Sequence, residues 1–556
     1  MLVPGLLDEP GTFFTTLLSS IFTFFGQVKK QLFSLYNILF GLLLVLGLTY
    51  IWGQKFFLTS DGPTHVYNSK ILLDYLRGEN MDFYSRFYEI SLSFFPNWFT
   101  HASLLLLQIF LNPVLAEKVL VSIYVVMFPI SFLFLVKQFT TRISFISLLI
   151  FPFVFHFVFY YGFYNFCFSI AFAFLFIGCW KKNRSKKIWQ QLVYLLPLSL
   201  LVYLTHIFGW FIIGGVLGGI FLAELMDSLL PYRRTSFAKL LQHWLAPFIS
   251  GLLPTLFSLL FIQTHSAEAQ YYPETIQRLW QAFVRLEMLV LWGDKTEFFF
   301  TSLIAATLLF GTATTVVLKI KNKRALGGPD GFIIAAALFT LLYFLQPKPL
   351  FLAGFWIGRM SWIGWLLLLV WLSVQNIPRV INYGFALLGI FIFVGLIFIR
   401  YPYQQKSAEG VKDYLSVLNK IPAHVTILPL SFSHGGQDDS GLPINVYRHQ
   451  FQHAFDYAGA FKPLINFANY EATTSWFPVQ WKQACNSFEL LGDIEGNPQW
   501  VNLNGFEKTE CGYKIDYVVT WCMNEREAFN LSIQKNYNLV ATSPSGRTKL
   551  WKKTAF

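Results

Sequence analysis

Ser60-Asp61-Gly62-Pro63-Thr64-His65 opens a long polar insert, residues 53–113, which follows the first strongly apolar segment of this 556-residue chain. An Asp and a His four residues apart share a face if the segment is helical. Close to a bilayer, a carboxylate is usually either solvated or functional. Asp61 has the chemistry of a general base toward a hydroxyl or amine. It could equally hold a divalent cation that binds a phosphate leaving group. A plainer role is to cap a helix that starts at Pro63, since Asp before a first-turn proline is a common helix start. The two kinds of role are compatible.

Other reactive residue types stand in apolar surroundings. His206 lies in Tyr203-Leu204-Thr205-His206-Ile207-Phe208-Gly209-Trp210, and Arg359 in Trp356-Ile357-Gly358-Arg359-Met360-Ser361-Trp362. A polar residue in such a setting is a functional candidate, or else a His bonded to a neighbouring helix end. The planar fork of Arg suits phosphate, although an Arg between aromatic residues also serves as an interface anchor. Arg285 and Lys295, in the loop 263–297, complete the basic candidates for a substrate. His449 and His453 have the i, i+4 spacing of metal ligands, with His434 and Asp438-Asp439 nearby. No complete ligand set can be identified, so no metal site is assigned.

The elements that must position these residues are membrane helices. Hydrophobic residues make up 55% of the chain and charged residues only 13%, with 62 Phe and 17 Trp; a soluble domain carries about 25% charged residues. Apolar runs of roughly 20 residues recur, the length that crosses the hydrocarbon core. They predict about eleven transmembrane helices, at 32–52, 114–136, 143–159, 166–180, 188–204, 209–227, 240–262, 298–319, 330–346, 359–376 and 380–399. No cleavable signal peptide is expected, and the first span would act as a signal anchor. The basic loop clusters account for the net charge of +12 and give no reason to invoke nucleic acid. With the N-terminus inside, beside Lys29-Lys30, every strong cluster falls on the inner side: Lys137 and Arg142, Lys181–Lys187, Arg233-Arg234 and Lys239, Lys319–Arg324, and Arg379. The short apolar stretch 97–112 then reads as an interfacial helix, and 11–27 as a second one. The outer face collects the 53–113 loop, the turn Tyr160–Asn165, His206, the loop 263–297 and Arg359.

Three regions follow: an N-terminal cytoplasmic or interfacial segment, 1–31; a transmembrane domain, 32–400; and a soluble outer domain, 401–556. In the last, an amphipathic helix (407–420), strands at Ala423–Leu428, Ile515–Thr520, Tyr537–Ala541 and Thr548–Lys552, and a helix over Glu525–Asn536 predict an α/β fold. It carries no Gly-rich nucleotide fingerprint. Cys485, Cys511 and Cys522 allow one disulfide if this part is extracytoplasmic, and their pairing is open. Cys167 and Cys179 read as packing residues.

The arrangement resembles the GT-C superfamily, polytopic glycosyltransferases that use polyprenyl-phosphate-linked sugars. The likeness rests on one span followed by a large loop with an early acidic residue (Trp52 to Asp61), on ten or more spans, and on a closing α/β domain. The resemblance implies a catalytic role for Asp61, with His65 beside it. It also implies basic residues on later outer loops that bind the lipid phosphate, which points to Arg359; His206, Arg285 and Lys295 stand beside it as substrate candidates from their own residue types and positions. Many members carry two adjacent acidic residues where this chain has Asp61-Gly62. That departure speaks against a divalent metal and leaves no required cofactor. The expected partners are a polyprenyl-phosphate-linked sugar, the bilayer and an unspecified glycan, lipid or protein acceptor. The expected location is a bacterial inner membrane with the C-terminal domain outside. An O-antigen ligase or polymerase-like enzyme, a lipid-linked sugar transporter and a non-catalytic envelope scaffold remain alternatives. The absence of an internal repeat weighs against transport.

Overall fold

The computed structural model describes residues 35–229, 237–265, 273–323, 326–347, 356–506 and 511–554. The expected interfacial helix at 11–27 and the basic residues Arg233, Arg234 and Arg324 lie outside the described residues. Helices of ten or more residues are numbered in chain order: α1 (Leu35–Trp52), α2 (Gly62–Arg77), α3 (Trp98–Gln108), α4 (Pro113–Phe139), α5 (Tyr164–Asn183), α6 (Ile188–Thr205), α7 (Ile207–Ser228), α8 (Phe237–His265), α9 (Lys295–Lys321), α10 (Gly331–Leu345), α11 (Trp356–Ser373) and α12 (Arg379–Tyr414). Among the described residues nine helical segments are long and apolar enough to cross a membrane, and two more apolar segments, Phe145–Tyr160 and Gly358–Ser373, are shorter. The chain is a polytopic α-helical membrane protein. All eleven predicted segments fall on these apolar elements.

Two segments differ from expectation for local reasons. Residues 143–159 form a nine-residue 3-10 helix, Phe145–Phe153, followed by one turn of α-helix, Phe157–Tyr160. Pro152 lies inside the 3-10 turn, and Asn382 Oδ1 takes hydrogen bonds from Ser144 Oγ (2.7 Å) and the Ile146 amide (2.8 Å). Local polar bonds of this kind compete with an α-helical start. The second difference is α12. The helix expected at 407–420 is the far end of one 36-residue helix that begins at Arg379 and passes through Pro402. At 1.5 Å per residue it is roughly 54 Å long, so it runs out of the hydrocarbon and delivers the chain directly to the first strand of the C-terminal part. The segment expected to lie on the surface is α3, whose 11 residues span only about 16 Å, too short to cross.

Seven strands are present in the described residues: β1 (Tyr88–Ile90), β2 (Val425–Ser431), β3 (Leu464–Asn466), β4 (Val479–Trp481), β5 (Tyr517–Trp521), β6 (Tyr537–Thr542) and β7 (Thr548–Lys553). Five form a mixed sheet in the order β3-β2-β5-β7-β6, with β3, β2 and β5 parallel and β7 antiparallel to both neighbours. The buried faces of Val425–Ser431 and Tyr517–Trp521 make the α/β core that their β-branched sequences predict. Cys485 and Cys511 are bonded, and Cys522 is free. The bond closes a loop with a sequence separation of 26, for which chain entropy alone is worth about 3.5 kcal/mol. Replacing both cysteines by Ser is therefore expected to lower the melting temperature of the detergent-purified protein, and an unchanged melting curve would refute this.

The C-terminal part does not stand apart from the first loop. β1, inside the 53–113 insert, pairs antiparallel with β4, with Tyr88 opposite Trp481. Tyr67 Oη donates to the Leu464 carbonyl at 2.6 Å, and Thr64 Oγ1 to Asp456 Oδ2 at 2.6 Å. Both regions therefore lie on the same side of the helical bundle.

Candidate active site

Asp61 occupies the N-cap position of α2 yet makes no side-chain cap bond. The positions an N-cap side chain would serve are a proline without N–H, Pro63, and Thr64, whose amide donates to the Asp61 carbonyl at 3.1 Å, so the carboxylate is left out of a capping role; Thr59 Oγ1 takes the Gly62 amide at 3.2 Å. The backbone behind it is fixed by the turn after Tyr160: the Ser60 and Asp61 amides donate to the Tyr160 and Tyr161 carbonyls, both at 3.0 Å. Gly162 completes that turn with φ +96°, and a Cβ there would stand 2.8 Å from the Asp61 nitrogen. Gly62 is equally constrained, because a Cβ would lie 2.0 Å from Glu117 Oε1 and 2.3 Å from Thr59 Oγ1. The acid against Gly62 is Glu117 of α4, which accepts hydrogen bonds from Tyr164 and Tyr457 and does not line the cavity that holds Asp61. Gly62→Ala is expected to cost about 1–3 kcal/mol through overpacking and to push Asp61 out of place. A Gly62→Ala protein with wild-type melting temperature would contradict this packing.

Asp61, His65, His206 and Arg359 line one cavity of about 880 Å³. Its walls also include Phe208 and Phe211 from α7, Leu259 from α8 and Phe339 from α10, and, from the C-terminal part, Tyr470, His453 and Glu495. The cavity therefore runs from among membrane helices to the C-terminal part. Arg285 and Lys295 do not join it. Both are solvent-exposed, and the Arg285 guanidinium lies 5.9 Å from the centre of the Phe298 ring.

The carboxylate end is buried and crowded. Asp61 is 4% exposed. Burial raises its pKa to about 8, against the opposing pull of His65 and of a hydrogen bond from Tyr470; Glu471 and Glu495 push it further up. Burial likewise raises Glu495, to about 7. His453 lies between them, its Nε2 4.0 Å from Asp61 Oδ1 and 3.7 Å from Glu495 Oε1. Burial depresses it to about 3, so the ring is neutral near pH 7. His65 does not face a substrate as a free base. Its Nε2 is 2.9 Å from the Gly162 carbonyl and its Nδ1 touches Glu471. Burial disfavours its charged form, but Glu471 more than offsets that and holds its pKa up at about 9.

The other end is cationic. Arg359 is 3% exposed and sits against the rings of Phe163, Phe166 and Phe208, at 4.7, 4.9 and 5.5 Å. Among the described residues no carboxylate pairs with it, and its Nε has no partner. His206 Nδ1 accepts the Phe208 amide at 3.0 Å, which puts the proton of a neutral ring on Nε2. That nitrogen is 3.4 Å from Arg359 Nη1. Two donors thus stand side by side in a buried wall, in need of a shared acceptor.

His449 and His453 do not form a helical ligand pair. Residues 449–453 are irregular, and His449 packs instead on His434, ring centres 5.1 Å apart. The residues that could hold a metal among those described are His65, His101 and Glu471, whose donor atoms lie within 4.8 Å of one another. Sequence reasoning missed Glu471, Tyr470 and Glu495. For His101 a signal existed: a lone His within a short apolar helix. The chain matches no protein-family model, and no curated protein is similar to it in sequence.

Proposed function

We propose that this protein is a GT-C-like membrane glycosyltransferase that moves a sugar, with inversion, from a polyprenyl-phosphate donor to an acceptor at the outer surface of a bacterial inner membrane. The observation that carries this reading is the buried Arg359, with no carboxylate partner among the described residues, beside the Nε2–H of His206 and in the same cavity as Asp61. A buried cation without a counter-ion costs several kcal/mol, and an anionic ligand removes that cost. Two convergent donors fit the oxygens of a phosphate. The apolar wall from α7, α8 and α10 suits a prenyl chain. Asp61 takes the proton of the acceptor hydroxyl as its oxygen attacks the anomeric carbon. The sugar–phosphate bond breaks, and its electrons pass to the phosphate oxygen, which Arg359 and His206 stabilise. His65 shapes the wall behind Asp61 and is not a second base.

The test is turnover of a panel of polyprenyl-phosphate sugars by the detergent-purified protein, followed by mass spectrometry, with Asp61→Asn alongside. Consumption of a donor by the wild type and not by the variant supports the reading. Binding of no donor at all would sink it. The closeness of Arg359 and His206 also favours a second reading, a ligase-like enzyme centred on that pair. It predicts the opposite pattern: tolerance of Asp61→Asn and loss of activity in Arg359→Gln.

A further inference from the structure

We propose that His65, His101 and Glu471 form a binding site for a divalent transition-metal ion of the zinc class. The three side chains come from separate parts of the chain, α2, α3 and the turn Glu471–Thr473, and are 3%, 0% and 0% exposed. His65 Nδ1 and Glu471 Oε1 are in contact but off the line of a hydrogen bond, and neither atom has another partner. His101 Nε2 lies 2.9 Å from Glu471 Oε2. That second contact has hydrogen-bond geometry, whereas His65 Nδ1 and Glu471 Oε1 meet without one; the donor atoms of the three side chains lie within 4.8 Å of one another, close enough to share one ion.

The surrounding groups orient the ligands. The Gly162 carbonyl, 2.9 Å from His65 Nε2, keeps a proton on that nitrogen and leaves Nδ1 its lone pair. This hydrogen bond behind the ligating atom is the usual support of a metal-bound imidazole. Asn68 Nδ2 donates to Glu471 Oε2 at 2.7 Å and is itself bonded to Asn469, Nδ2 to Oδ1 in each direction, at 3.2 and 2.7 Å. Without a metal, His65 would need a second proton to face a carboxylate with one nitrogen and a carbonyl with the other. An ion at Nδ1 replaces that proton. Two imidazoles and one carboxylate suit zinc and its first-row neighbours, whereas magnesium and calcium require oxygen ligands. His65 is the one of the three that lines the cavity, so the ion would stand as a fixed charge in the wall beside Asp61. The site stands whether or not the transferase reading does.

Tag-free, full-length protein in detergent is stripped with chelator, reloaded with Zn²⁺, desalted and assayed by mass spectrometry for metal. Co²⁺ loading is followed by its visible absorption. One ion per chain is expected, with the Co²⁺ bands of a nitrogen-ligated, low-coordinate site. His101→Gln and Glu471→Gln should lose it, Asn68→Ala should weaken it about tenfold, and Asp61→Asn and Arg359→Gln should keep it. Monodisperse wild-type protein without bound Zn²⁺ or Co²⁺ bands would overturn the proposal, and so would full retention in His101→Gln and Glu471→Gln. If those two variants do not yield monodisperse protein, the wild-type cobalt spectrum and its displacement by Zn²⁺ decide alone.

Discussion

Asp61→Asn should lower donor turnover by about 10²–10⁴-fold, the usual loss when a positioned general base is removed, with little change in donor affinity. Asn keeps the size of the side chain and cannot accept the proton. The pH profile adds a second signature. Asp61 is held protonated up to about pH 8, chiefly by burial, and only its ionised form is a base. In chelator-treated wild-type protein, kcat/KM should therefore rise with pH, tenfold per unit on the acid side, and level off near pH 8. The groups that set this position are His65, Tyr470, Glu471 and Glu495, together with the neutral ring of His453. Glu495→Gln removes one of the like charges, so the limb should move to lower pH. A flat profile between pH 6 and 9 would remove Asp61 from the role of base.

Arg359→Met should divide stability from function. In the protein without donor, the guanidinium is a buried charge with no carboxylate among the described residues, so its removal is expected to raise stability by roughly 1–4 kcal/mol, the range seen when buried ionic groups give way to apolar ones. Donor turnover should fall by about 10²–10³-fold, the size of effect seen when one preorganised donor to a developing anion is removed. Arg359→Lys should recover only part of it, because an ammonium lacks the planar fork. A lower melting temperature in Arg359→Met would mean that the three phenylalanine rings hold the arginine as a structural cation. That outcome would take away the main support for a phosphate at this place.

The helical bundle was legible because crossing hydrocarbon demands long apolar runs, and these can be read one segment at a time. Asp61, His206 and Arg359 were placed on one face by the distribution of Lys and Arg, and they share a cavity; Arg285 and Lys295 were placed on that face too and stay outside it, so sidedness alone did not single out the site. The parts that escaped are those fixed by contact across the chain. Nothing near Glu471 marks it as the partner of residues 403 positions away, as in its bond from Asn68. β3 and β1 are three residues each, too short for a period to show. The 3-10 helix at Phe145–Phe153 reads as a span by composition, and only Asn382 and the proline inside it make it something else. Glu117 packs against Gly62 from another helix, a contact that nothing in the local sequence announces.

The pairing of the first loop with the C-terminal part has a consequence for how the protein is made. Asp61 and α2 emerge early in translation, whereas Asp456, Tyr470 and Glu471 emerge about four hundred residues later. Through that interval Thr64, Asn68 and the Nδ1 of His65 lack the partners that the C-terminal part supplies, and the cavity lacks the wall that part provides. A chain stopped after Tyr414 is expected to insert all its membrane helices and still hold no site. The cavity is therefore completed only when residues 453–495 have been made and have docked on the first loop, so the site itself reports that the two regions have met.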